Sequence, residues 1–128
     1  MKSIWIATFA ILALLSGAAS AQEHTEKMKI EFLISSVADL KGAKFIRNGS
    51  EHDAKDAARH LRMKRQRAGD RVQTAEDFIR LCASKSYTTG QPYMMRLPDG
   101  KTVKSEIFFR EKLKEYKWRP RRQEPAAP

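Results

Sequence analysis

Between Thr25 and Lys41 the apolar residues Ile30, Leu33, Ile34, Val37 and Leu40 recur every three or four positions, with polar residues between them. That spacing lines one face of a helix, and Gly42 ends it. Ala43 to Asn48 reads as a short extended or turn segment that buries Phe45 and Ile46, followed by Asn48-Gly49, a turn pair in which both residues tolerate positive φ. Ser50 then reads as the cap of a second helix, with Asp53 three residues on as a capping-box acid and Ala68-Gly69-Asp70 as its stop. On that helix Ala54, Ala57, Ala58 and Leu61 share the core-facing side, while His52, Asp56 and His60 recur at i, i+4 and i+8 on the other. Thr74 caps a third helix, with Asp77 in the capping-box place and Phe78, Ile79, Leu81 and Cys82 as its apolar positions. Ser86 to Gln91 is loop. Pro92–Leu97 and Lys101–Val103 flank Pro98-Asp99-Gly100 as a small hairpin, and Ser105 opens a fourth helix with Phe109, Leu113 and Tyr116 on one face. The predicted fold is mainly α: a small four-helix domain with a short β-hairpin or extended segment between the third and fourth helices.

The chain begins differently. Lys2 precedes a run from Ile4 to Leu15 that is apolar but for Thr8, and Ala19-Ser20-Ala21 places small residues where a signal peptidase reads. This predicts a cleaved signal peptide over residues 1–21, because the run is shorter than the roughly 20 apolar residues that span a bilayer. Residues 22–118 would form one helical domain, and 119–128, with three prolines and no apolar period, a disordered basic tail. The expected location is the periplasm, or secretion, with no transmembrane segment after cleavage. Export also limits the chemistry: Cys82 is the sole cysteine, so no internal disulfide is available and packing must hold the fold. Its apolar register points to a buried small hydrophobe.

A net charge of +10 sharpens the question of partners. Arg59 to Arg71 and Arg110 to Arg122 are the basic clusters. Such clusters attract polyanions. Arg62, Lys64, Arg65 and Arg67 are the candidate polyanion-binding residues. Export removes most nucleic acid from reach and makes an envelope protein, an anionic envelope polymer or a lipid the expected partner; a solvated face is the plain alternative.

The remaining chemistry centres on His52, Asp56 and His60. With all three on the second helix, the two histidines lie about 12 Å apart along its axis and do not easily grip one ion, and no CxxC or HExxH pattern supplies further ligands. No metal and no cofactor is expected. Asp56, one turn from each histidine, would favour their charged forms. The hydroxyls of "SKSYTTG" lack the S-x-x-K spacing of a serine–lysine nucleophile. Candidate binding residues are Arg47, Asn48, His52, Asp56, His60 and Tyr93, with no catalytic residue assigned. A concave pocket joining the histidines to the Ser86–Tyr93 loop would mark a site; a convex face would mark an interaction surface.

Four ordered blocks carry a resemblance: Phe45-Ile46-Arg47-Asn48-Gly49-Ser50-Glu51-His52, Ala57 to Lys64, Thr74 to Ile79, and Ser84-Lys85-Ser86 with Thr89-Gly90-Gln91-Pro92-Tyr93. The chain resembles the YfeK-like family of small exported bacterial proteins of unknown function across roughly residues 26–116; the basic tail after Trp118 departs from it. The resemblance implies a periplasmic, mainly helical domain and carries over no catalytic or binding residue. The functional expectation is a non-catalytic binding or interaction module of the cell envelope with a basic surface. The alternatives are an envelope enzyme or metal-dependent activity centred on His52, Asp56 and His60, and a purely electrostatic polyanion binder.

Overall fold

The protein is described by a computed structural model covering residues 6–118, with side chains from residue 21 to residue 116. The expected tail, 119–128, lies outside the described residues. Helix α1 runs from Ile6 to Ala38, through the expected cleavage point after Ala21. Strands β1 (Lys44–Arg47) and β2 (Ser50–His52) form a hairpin, and α2 (Ala54–Ala68) follows. A single 3₁₀ turn leads to α3 (Ala75–Phe78), which widens without a break into a π-helical turn, Ile79–Ala83. Strands β3 (Met94–Arg96) and β4 (Thr102–Lys104) form the second hairpin, and α4 (Ser105–Trp118) completes the described chain. Among the described residues no helix is long and apolar enough to cross a membrane.

The expectation of a mainly helical, four-helix domain is overturned. The four strands make one antiparallel sheet in the order β2-β1-β3-β4, and the fold is α+β. The expected hairpin of β3 and β4 is present, and β1 falls within the segment read as extended or turn; β2 and the joining of the two hairpins into one sheet were not anticipated. The reason lies in strand length. Three or four residues are too few to display a period of two, and β2, Ser-Glu-His, is polar enough to resemble the first turn of a helix. Ser50 is therefore no helix cap. It opens β2, and the N-cap is Asp53, whose carboxylate accepts from the Asp56 N–H at 2.8 Å. The turn between β1 and β2 is built by Asn48 (φ 49°) and Gly49 (φ 79°). Positive φ at both central residues suits the twist of a two-residue hairpin.

One row of residues explains how the sheet meets the helices. The register places His52 opposite Phe45, Phe45 opposite Met95, and Met95 opposite Val103. Cross-strand partners share a face. Phe45 and Met95 are buried and Val103 packs partly against the same core. The helices contribute Ile30, Leu33, Ile34 and Val37 from α1, Ala57, Ala58 and Leu61 from α2, and Phe109 and Leu113 from α4. Phe78 and Phe109 meet edge to face at 6.2 Å. The small residues of α2 permit close approach to the neighbouring backbone.

The third helix begins as its sequence predicts. The Asp77 N–H donates to Thr74 Oγ1, and the Thr74 N–H to Asp77 Oδ2, completing the capping box. Glu26 of α1 accepts the Ala75 N–H at 2.8 Å, tying that helix start to α1. The wider turn that follows buries Ile79, Cys82 and Ala83 together. Cys82 is fully buried, and burial pushes its thiol pKa up, so it acts as a small hydrophobe.

Candidate functional site

Strand β1 supplies Phe45 and Arg47, two residues apart and so on one face, and β2 supplies His52 beside them. Helix α2 crosses this end of the sheet and brings Asp56, Ala57, His60 and Leu61 against it. The result is a concave pocket of about 310 Å³ lined by these residues together with Tyr93, Ala83 and Phe109. Met63 and Arg59 stand on its exposed side. Most of its polar side chains, Arg47, His52, Asp56, Arg59 and His60, come from β1, β2 and α2; Tyr93 and Ser105 complete the polar lining.

His52, Asp56 and His60 are thus brought together, but not as a stripe on one helix. His52 comes from the sheet and the other two from α2, so the separation along a helix axis does not apply. Asp56 does not hold the histidines. Its carboxylate pairs with Arg59 at 3.0 Å. His60 instead faces cations: Arg47 reaches its Nδ1 at 2.5 Å. Burial, followed by the positive charges of Arg47, Lys64, His52 and Arg67, pushes the His60 pKa down from 6.5 to about 4. This reverses the expectation that Asp56 would favour a charged imidazole there.

That geometry fixes the tautomer. A guanidinium has donors and no acceptor. Nδ1 of a neutral His60 must therefore accept, and its single proton sits on Nε2. The Nε2 atoms of both His60 and His52 are buried and lack a hydrogen-bond partner. Two buried, unpartnered ring nitrogens in one pocket wall are an unusual expense for a small domain.

Behind the pocket lies a second polar group. Lys64 is buried, with its ammonium donating to Tyr93 Oη at 2.9 Å and to the Lys85 carbonyl at 3.4 Å. It lies 4.6 Å from the Tyr87 ring centroid and 4.8 Å from that of Tyr93, distances at which an ammonium is attracted to a ring face. Tyr93 also meets the His60 ring edge to face at 6.1 Å. The loop carrying these tyrosines is clipped to the β1–β2 turn. Asn48 Nδ2 donates to Ser86 Oγ at 3.2 Å, and Thr89 Oγ1 donates to Asn48 Oδ1 at 2.6 Å. Ser86 Oγ also bonds Thr88 Oγ1 at 3.0 Å, so the hydroxyls of "SKSYTTG" hold a loop in shape.

The four candidate polyanion-binding residues do not form one patch. Lys64 is buried in its aromatic cage. Arg62 and Arg65 both reach Glu31 of α1, at 3.5 and 2.8 Å. Arg67 is exposed on α2. The second basic cluster extends beyond the described residues. No group of three or more His, Cys, Asp or Glu residues suited to a metal ion occurs among the described residues. Sequence reasoning found six residues of this region. It missed the lysine cage, the Asn48 clip and the apolar lining from Ala57, Ala83 and Phe109, all of which depend on contacts between distant segments. Tyr87 and Tyr93, on the loop that follows α3 and its π-helical turn, were the available signal for the cage.

Residues 24–117 match the model of a family of unknown function, DUF5329. The chain belongs to this family. It is 39% identical over 93 residues to the uncharacterized protein YfeK of Salmonella typhimurium, covering 73% of this chain and 77% of that one. No solved structure matches. The matched span includes both hairpins, α2 and the clipped loop, so every residue of the pocket lies within the region the family shares.

Proposed function

We propose that the protein is an exported binding module of the bacterial cell envelope, and that the pocket between α2 and the sheet is where it takes up a small ligand. The observation that carries this is the pair of buried, unpartnered Nε2 atoms of His52 and His60 in the wall of a mainly apolar cavity. Ligand sites combine apolar walls with a few converging polar groups, in cavities from about 300 Å³ upward. The leader-like residues 1–21 support export. The reactive groups nearby support binding without bond chemistry: Cys82 is buried with a raised pKa, Ser86 Oγ is engaged in the loop, and His60 Nδ1 is engaged by Arg47.

Two measurements test the reading. Expressed in a Gram-negative host, the protein is expected in the periplasmic fraction with Gln22 as its first residue; recovery of an intact Met1 in the cytoplasm would remove the envelope assignment. In a fragment screen followed by NMR, bound fragments are expected to shift the ring signals of His52, His60 and Tyr93 together. Fragments that bind only elsewhere would remove the pocket from the function.

A further inference from the structure

The charges around the pocket do not balance. Arg59 is matched by Asp56. Arg47 is not: its guanidinium meets the ring of His60, and among the described residues no carboxylate lies within ion-pair distance of it. Lys64, buried behind Tyr93, is likewise held by a phenol, a carbonyl and two rings rather than by an acid. A part-buried guanidinium and a buried ammonium without a counter-ion are costly, and an anion brought into the pocket would offset that cost.

The hydrogen-bond inventory points the same way. With its Nδ1 accepting from Arg47, His60 offers a donor at Nε2 that no protein atom accepts. The remaining guanidinium N–H groups of Arg47 are further donors on the same wall. His52 Nε2 is the third unmet position, and in the tautomer that carries its hydrogen on Nε2 it donates as well. An oxyanion drawn to this wall would find the Arg47 guanidinium beside these ring donors; the one acid of the lining, Asp56, is paired with Arg59, and Phe45, Ala57, Leu61, Ala83 and Phe109 are among the apolar lining.

We propose that the pocket's ligand is a small apolar acid whose carboxylate is held by Arg47, His60 and His52 while its aromatic or aliphatic body fills the space between α2 and the sheet. This rests on the reading that the pocket is a ligand site, and it adds the ligand's chemical class. The size follows from the volume: a cavity of about 150 Å³ holds benzene, so one about twice that size holds a body of roughly a dozen non-hydrogen atoms.

The test uses three probes of one shape and two charges: phenylbutyrate, phenylbutyramide and phenylbutanol, titrated into the purified protein by calorimetry at neutral pH. The acid is expected to bind about tenfold or more tightly than either neutral analogue, the gain of a charge-assisted hydrogen-bond pair. Arg47→Gln is expected to bring the acid down to the level of the amide. Because Arg47→Gln perturbs the hairpin, the wild-type protein is also followed by ¹⁵N NMR of the imidazoles. Binding of phenylbutyrate should move the Nε2 signals of His60 and His52 and leave His60 protonated at Nε2 alone. Equal binding of all three probes would overturn the acid and leave the pocket reading standing. Selective binding of the acid without movement of the histidine signals would place it elsewhere and overturn the proposal. Failure of all three probes would overturn the proposal together with the pocket reading beneath it.

Discussion

At the scale of single residues, His60 and Lys64 depart furthest from what their types ordinarily do. His60 is half-buried among cations and is held neutral well below 6.5. Between pH 6.5 and about 4 the unfolded chain takes up a proton that the folded His60 refuses. The folded state is therefore disfavoured as pH falls through that window, and the effect levels off below about 4. His60→Asn is expected to flatten that part of the melting-temperature profile relative to the wild type. Arg47→Gln removes one cause but not burial, the larger one, so the His60 pKa should rise while staying under 6.5; ring titration by NMR reads both. For Lys64, truncation to Ala is expected to destabilise by about 1–3 kcal/mol, since it removes the cation from beside two rings and takes a donor from the part-buried Lys85 carbonyl and Tyr93 phenol. Lys64→Met keeps the apolar stem and should cost less. Both variants should raise the His60 pKa by removing a nearby positive charge, and an unchanged titration would mean that Lys64 does not act on the pocket.

At the scale of elements, the start of α2 shows how one cap assignment decides a fold class. Read with Ser50 as the cap, "SEHDAKDAARH" is a single helix carrying a histidine stripe. With Asp53 as the cap, the first three residues are a strand and the stripe is divided between sheet and helix. Both caps satisfy the same local rule, and the hairpin turn immediately before them decides between the two. The consequences are separable by chemical denaturation. Asp53→Ala should cost about 1 kcal/mol as a lost cap. Ser50→Ala, at an exposed strand start, should stay within about 0.5 kcal/mol. Gly49→Val should cost about 1–3 kcal/mol, because its φ of 79° strains a β-branched residue although its Cβ would meet no neighbour within 4 Å. A large effect at Ser50 with none at Asp53 would restore the longer helix.

At the scale of the whole molecule, the pocket exists because segments far apart in sequence are fastened together. Asn48 holds the loop that begins 38 residues later, through Ser86. The β1–β3 pairing joins residues farther apart still, Ile46 with Met94 and Lys44 with Arg96. Asn48→Gly keeps a residue that tolerates positive φ and removes the clip. Hydrogen exchange of the Ser86 and Gly90 amides, which close the loop internally, should rise by about tenfold or more if the side-chain bonds supply 1.4 kcal/mol or more of local protection. The β1–β2 amides should change less. Equal loosening of loop and turn would mean that the clip acts on the hairpin as a whole and not on the loop alone.

What the sequence determined by itself is local. The apolar spacing in α1, the Ala57-Ala58-Leu61 face, the Thr74–Asp77 capping box, the Asn48-Gly49 turn and the hairpin around Pro98-Asp99-Gly100 are each decided within a few residues, where propensity, periodicity and turn chemistry act. Arg47, Asn48, His52, Asp56, His60 and Tyr93 could be singled out because polar residues of those types stand beside strong turn and cap signals. The tertiary structure alone decided that two hairpins make one sheet, that Asp56 serves Arg59 while His60 faces Arg47, that Lys64 is buried beneath two tyrosines, and that an apolar cavity opens between them. The physical reason is common to all four. Strand pairing, ion-pair choice and desolvation depend on which distant groups become neighbours, and a strand of three residues or a lone lysine carries no periodic trace of the partner it will meet.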